Sequence, residues 1–132
     1  MSHFVRIQTH IREQALLERA LSSLGHSFRT SRDDDLAVRG YQGNKSEARL
    51  VVDTGTAYDI GFERSGESFD IVADWWGVEG NSSIRKQEFT QSVQRAYAFE
   101  LVRQHARQNN LVWESEQVQE NGNTVIVLSE RG

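Results

Sequence analysis

The chain has 132 residues, of which 37% are hydrophobic and 26% charged, and its formal net charge is −4. These values are typical of a globular protein, and we expect one domain over residues 1–132. The acidic balance argues against nucleic-acid binding, and the absence of cysteine excludes disulfides, thiolate metal sites and a cysteine nucleophile. No apolar run approaches the roughly 18 residues of a membrane helix, so we expect no membrane insertion.

The N-terminal part of the chain predicts a strand, a helix and a second strand. Residues 4–11 alternate between apolar and polar side chains, which is the period of a strand. Residues 13–24 place leucine and alanine side chains on one helical stripe, and Gly25 is expected to end that helix. Residues 26–30 fit a short strand.

The middle of the chain predicts an antiparallel meander. Turn signals separate strand-like runs at 36–41, 48–52, 58–63 and 69–75. In the last run, Trp75 shares the parity of the apolar residues and Trp76 shares that of the polar residues. We therefore expect Trp75 in the core and Trp76 on the polar side of the sheet.

A loop, a long helix and a hairpin complete the chain. We expect the loop at 77–83, the helix at 84–108, and strands at 111–119 and 124–129 joined by an Asn-Gly turn. The resulting order is β-α-β, a meander, α and β-β. It predicts an α+β fold with two helices packed on a mostly antiparallel sheet, as a ferredoxin-like variant.

The second half of the long helix is apolar nearly all round. One sheet cannot cover the whole circumference of a helix, so a further strand, a loop or a second subunit should bury the remaining side. A homodimer formed through Tyr97, Phe99 and Val102 is one of these possibilities.

Three aspartates, Asp59, Asp70 and Asp74, lie on neighbouring predicted strands. With Arg39 they could form the acid–base or cation-binding site of a small-ligand or metal-dependent enzyme. Each of them alternates with an apolar residue, however, which favours the solvated face of a half-covered sheet. The sequence shows no nucleophile motif and no metal-ligand spacing, so we predict no metal site and no cofactor.

Trp76 is the best candidate for a contact residue, because an exposed tryptophan beside aspartate and glycine is typical of an interaction hot spot. The alternative is that Trp76 covers a loop or the long helix, since tryptophan is usually buried. Basic residues form a partial stripe on the long helix, but intervening glutamates and the net charge argue against a nucleic-acid partner.

Several short motifs, in the same order along most of the chain, carry a family resemblance. They are the opening Met-Ser-His-Phe, RGYQG at 39–43, YDIGF at 58–62, VAD at 72–74 with WGV at 76–78, and YA at 97–98. Together they resemble the hypothetical chloroplast reading frame thirty-five family of algal plastids and cyanobacteria. The resemblance implies a cytoplasmic or stromal protein of a photosynthetic cell. It also implies a small ferredoxin-type protein and an ATPase of the AAA+ class as associates.

These observations favour a non-enzymatic protein-binding or assembly module. We expect its contact surface to be centred on Arg39, Tyr41, Tyr58, Asp74 and Trp76. The alternative hypothesis is the enzyme that uses the aspartate cluster, which requires those carboxylates to converge in one pocket.

Overall fold

Nine strands and three α-helices lie within residues 3–31 and 33–131, the part of the chain that the computed structural model describes. Met1 and Ser2 of the opening motif lie outside these residues. The chain divides into two compact units, Met1–Tyr97 and Ala98–Gly132, and the division falls within the long helix. A single domain over 1–132 stays a prediction.

The element bounds follow the predicted pattern closely, with two additions. The first unit contains β1 (Val5–Gln8), α1 (Gln14–Ser23), β2 (Ser27–Thr30), β3 (Leu36–Arg39), β4 (Lys45–Ala48), β5 (Leu50–Asp53), β6 (Asp59–Ser65), β7 (Ser68–Ala73) and α2 (Trp75–Asn81). The long helix is α3 (Lys86–Gln108), and the second unit ends with β8 (Leu111–Val118) and β9 (Thr124–Glu130). Strand β4 and helix α2 are the additions that the sequence patterns did not predict.

The main sheet is antiparallel throughout, with the strand order β1-β7-β6-β5-β2. Its register places Ile60 opposite both Val52 and Ala73. One face of this sheet packs on α1, α2 and the first half of α3 through a single apolar core. The α+β class and the mostly antiparallel sheet are therefore confirmed, with three helices in the described residues instead of the two expected. The ferredoxin-like variant stays a prediction.

The second face of the sheet carries the β3–β4 hairpin. Val38 of β3, Ala48 of β4 and Val51 of β5 are wholly buried in a small core between hairpin and sheet. Gly61 permits this contact, because a Cβ atom there would lie 2.5 Å from Val38 Cγ2 and 2.8 Å from Ala48 Cβ. The prediction that this face is solvated is wrong for this reason.

Helix α2 replaces the end of a predicted strand and most of a predicted loop. The strand ends at Ala73, and Asp74 begins the helix by accepting the Gly77 backbone N–H on its side chain at 3.3 Å. The strand expected through Trp75 is therefore wrong, and the loop expected at 77–83 is correct only for residues 82 and 83. The burial of Trp75 and the exposure of Trp76 are nonetheless confirmed, because adjacent helix residues point about 100° apart.

The second unit consists of the end of α3 and the β8–β9 hairpin. Phe99 packs edge-on against Trp113, with the ring centroids 6.0 Å apart, and the Arg103 guanidinium lies 5.4 Å from the Trp113 centroid. A strand of the hairpin thus covers part of the apolar helix, which was one of the predicted possibilities. None of the helices in the described residues is long and apolar enough to cross a membrane.

Candidate functional site

The motifs at 39–43, 58–62 and 72–78 meet at one end of the main sheet. Because Ile60 lies opposite Ala73, the neighbouring residues Asp59 and Asp74 fall at the same end of β6 and β7. The β3–β4 hairpin brings Arg39 and Tyr41 to the same end, where both bond to these aspartates. Antiparallel pairing therefore gathers residues that are up to 35 positions apart in the sequence.

Arg39 and Asp59 form a two-pronged ion pair. The guanidinium Nε and Nη2 donate to Oδ2 and Oδ1 of Asp59, each at 2.8 Å, and the Arg39 backbone N–H donates to Oδ2 at 2.9 Å. Asp59 is wholly buried, whereas about half of the Arg39 side chain is exposed. The hydrogen bond to Asp59, followed by its charge, raises the pKa of Arg39 above its ordinary value. The pair fixes the end of β3 on the sheet.

Asp74 joins the turn after β3 to helix α2. Its Oδ2 accepts the backbone N–H of Tyr41 at 3.0 Å, while its Oδ1 accepts that of Gly77. The residue itself is 1% exposed. Because the buried carboxylate of Asp74 accepts hydrogen bonds from both segments, it fixes the position of Tyr41 relative to helix α2.

Tyr41 and Trp76, one on each of the two segments that Asp74 connects, form an aromatic pair. Their ring centroids lie 5.6 Å apart at an interplanar angle of 85°, an edge-to-face contact. Trp76 is 63% exposed, although it is anchored on one side by Tyr41. The prediction that Trp76 faces outward is confirmed. The alternative, that Trp76 is buried over a loop or the long helix, is wrong in its burial, although Trp76 does contact Tyr41 in the turn after β3.

Tyr58 packs against helix α2. Its ring lies against Gly77, where a Cβ atom would overlap the ring carbons. Tyr58 is half-buried and packs on the edge of the main core. The ring of Tyr58 therefore positions the helix that carries Trp76. Gly77 is a further residue of the site, and the sequence analysis did not predict it. An aspartate three residues before it, in the position of a helix cap, is the signal that could have found it.

The three predicted aspartates do not form one cluster. Asp59 and Asp74 lie at the end of the sheet just described, but Asp70 is four residues before Asp74 and pairs across the strands with Glu63 and Gln8. All three are buried, with exposures of 0%, 1% and 8%, so the solvated interpretation is wrong for each of them. No group of three histidine, aspartate or glutamate side chains in residues 3–31 and 33–131 could hold a metal ion.

Comparisons with known proteins show the family to which the chain belongs. A family described as "Protein of unknown function (DUF1257)" matches residues 20–127. The chain belongs to this DUF1257 family. A relative from Guillardia theta called "Uncharacterized protein ycf35" is 30% identical over 134 residues, covering 97% of this chain and 96% of its own. A second protein of that name, from Cyanophora paradoxa, is 22% identical over 102 residues and covers 77% and 76%. No solved structure matches the chain significantly.

The resemblance to the chloroplast reading frame family is confirmed by these relatives. All of the site residues fall within the DUF1257 match. The site is therefore part of the region by which this chain is recognised as a family member. The opening Met-Ser-His-Phe lies before that region.

Proposed function

We propose that this DUF1257 protein is a non-enzymatic protein-binding or assembly module that works in the cytoplasm or plastid stroma of a photosynthetic cell. Its docking surface is the Tyr41–Trp76 surface, which we define as Tyr41, Trp76 and the exposed half of Arg39. Asp74 and Tyr58 hold this surface in place from inside.

The exposure of Trp76 carries this proposal. A tryptophan that is 63% exposed presents a large apolar ring to solvent, and covering that ring with a partner would be favourable. The ring is also held ready for binding, because Tyr41 contacts it edge-on and Asp74 caps its helix. A rigid aromatic anchor loses little conformational entropy when a partner docks, and tryptophan and arginine are enriched among hot-spot residues.

The hydrogen bonds of the buried aspartates support binding over catalysis. Both oxygens of Asp59 accept from Arg39, and both oxygens of Asp74 accept from backbone N–H groups. Carboxylates used in this way stabilise the fold, whereas an acid–base pair needs an oxygen that is open to substrate. The bonding of these two residues therefore favours the binding hypothesis.

The test is affinity capture from a cyanobacterial lysate with quantitative mass spectrometry. Wild type is compared with Trp76→Ala and with the matched control Val118→Ala, since Val118 is 72% exposed but belongs to the β8–β9 hairpin. We expect one stoichiometric partner that is lost with Trp76→Ala and kept with Val118→Ala at an unchanged melting temperature. A ferredoxin-type protein or an AAA+ ATPase is the candidate that the family resemblance supplies.

Capture that is equal for wild type and Trp76→Ala would contradict the proposal. So would capture of no stoichiometric protein by wild type, because the exposed ring would then have no protein to cover it.

A further inference from the structure

A groove of about 1020 Å³ lies between strand β1 and the start of helix α3. It is lined by Val5, Arg6, Ile7 and Gln8 of β1, by Asp70 and Glu79, and by Lys86, Gln87, Thr90 and Gln91 of α3. Successive strand residues point to opposite faces of a sheet. A groove that reaches all four residues of β1 must therefore follow the outer edge of that strand.

This outer edge is available for pairing. Strand β1 is the first in the order β1-β7-β6-β5-β2, and its partner is β7. In an antiparallel pair, alternate residues direct their N–H and C=O groups away from the partner strand. No second strand in the described ranges pairs with β1, so these groups line the groove. An edge of this kind is a template for an added strand.

Asp70 places a negative charge at one end of the groove. It is 8% exposed, and within residues 3–31 and 33–131 no hydrogen bond or ion pair reaches its carboxylate. It also lies directly opposite Glu63, whose carboxylate is already engaged by Arg6. A carboxylate that lines the groove without a partner gains from a nearby cation, and the like charge across the strand pair strengthens this preference. This end of the groove therefore fits a cation.

We propose that β1 is the docking edge for an extended peptide of a protein partner, which adds a sixth strand to the sheet and places a lysine or arginine against Asp70. The open edge of β1 can form backbone hydrogen bonds only with an extended chain. The unpaired carboxylate of Asp70 favours a basic side chain on that chain. The four residues of β1 span about 13 Å, which corresponds to four residues of an added strand.

A second copy of this chain meets these requirements less well. Pairing of two β1 edges would bring only Arg6 of the other copy as a cation from the strand, and that side chain is already bonded to its own Glu63. The groove is also distinct from the Tyr41–Trp76 surface, so this proposal does not rest on the function proposed above.

The test is selection from a displayed library of random octapeptides on the full-length protein. We expect the selected peptides to share one lysine or arginine. We further expect them to perturb the backbone amide NMR signals of Val5–Gln8 and of Lys86–Gln91. Asp70→Asn should weaken a selected peptide about 10- to 100-fold, as loss of a charged hydrogen bond does. The matched control is Asp34→Asn, an exposed loop carboxylate outside the groove, which should change affinity less than twofold.

A double-mutant cycle separates a direct contact from a folding effect. Once the shared basic residue of the peptide is replaced by alanine, Asp70→Asn should cause no further loss. Several results would overturn the proposal: no peptide selected, no shared basic residue, equal binding to Asp70→Asn, or amide changes confined to other surfaces. Concentration-dependent dimerisation that protects β1 in the absence of peptide would assign the edge to a second copy and would also overturn it.

Discussion

At the residue scale, Asp59 and Asp74 are both held by main-chain donors. Asp59 accepts the backbone N–H of Arg39 in addition to its guanidinium, and Asp74 accepts the backbone N–H groups of Tyr41 and Gly77. These bonds offset the cost of burying the two carboxylates. The sequence shows only that each aspartate alternates with apolar residues, and this pattern is the same for a solvated and for a bonded carboxylate.

Removal of Arg39 tests the importance of the ion pair for stability. Arg39→Ala leaves the Asp59 carboxylate buried without its charged partner, so the free energy of unfolding should fall by about 3 kcal/mol. Urea denaturation measures this change. Arg19→Ala, an exposed residue of α1, is the control and should stay within about 0.5 kcal/mol of wild type. Equal effects of the two substitutions would show that the pair contributes little.

His26 makes stability depend on pH. Burial lowers the pKa of His26 below its ordinary value of 6.5, and its ring lies edge-on to Phe89 at 5.1 Å. Below pH 6.5 the unfolded chain therefore binds more protons at this residue than the folded chain, so stability falls as the pH drops from 6.5 towards the lowered pKa.

The melting temperature should therefore be lower at pH 5.5 than at pH 7.5, and His26→Gln should reduce this difference. His10→Gln is the control, because His10 is exposed in the same unit. An unchanged pH profile in His26→Gln would contradict the assigned cause.

We expect replacement of Asp70 by asparagine to stabilise the protein. Asp70→Asn removes a like charge that lies directly opposite Glu63, so the free energy of unfolding of the peptide-free protein should rise by about 0.5 kcal/mol. Thermal or urea denaturation tests this, with Asp34→Asn again as the exposed control. A loss of stability in Asp70→Asn would mean that the carboxylate has a stabilising role in the fold.

At the element scale, periodicity predicted the elements that are long or regularly patterned and missed α2. Helix α2 has seven residues and two glycines, which gives it almost no intrinsic preference for the helical state. Its formation depends on the Asp74 cap and on burial of Trp75, and burial is a tertiary effect. The β3–β4 hairpin on the second face was missed for a similar reason. Val51, Gly61 and Val72 on that face were the signal, because three apolar or small residues in a row do not fit a solvated surface.

The seating of the hairpin can be tested at Gly61. Gly61→Ala places a methyl group against Val38 and Ala48, so the free energy of unfolding should fall by about 1–3 kcal/mol from overpacking. Gly80→Ala is the matched control, since nothing lies within 4 Å of its added Cβ. There the higher helix propensity of alanine should raise stability by about 0.5–1 kcal/mol. Similar effects at both positions would contradict the close contact between hairpin and sheet.

At the scale of the whole molecule, the sequence predicted the α+β class, the antiparallel meander and the C-terminal hairpin, because each has a local signal. Arg39 and Asp74 were predicted as part of the contact surface, and Asp59 only as part of the alternative aspartate cluster. The bonds that bring the three residues together depend on long-range strand register. The added hairpin face and the edge groove beside β1 depend on how elements pack, which no local pattern contains.

The central claim is that Trp76 anchors a protein partner. Its most direct test is the dissociation constant of the captured partner for wild type, Trp76→Ala and Val118→Ala, measured by titration at one salt concentration. Loss of a hot-spot tryptophan costs about 2 kcal/mol or more, so Trp76→Ala should weaken binding about 30-fold while Val118→Ala leaves it unchanged. Equal affinity of Trp76→Ala and wild type, with both proteins folded, would contradict the account.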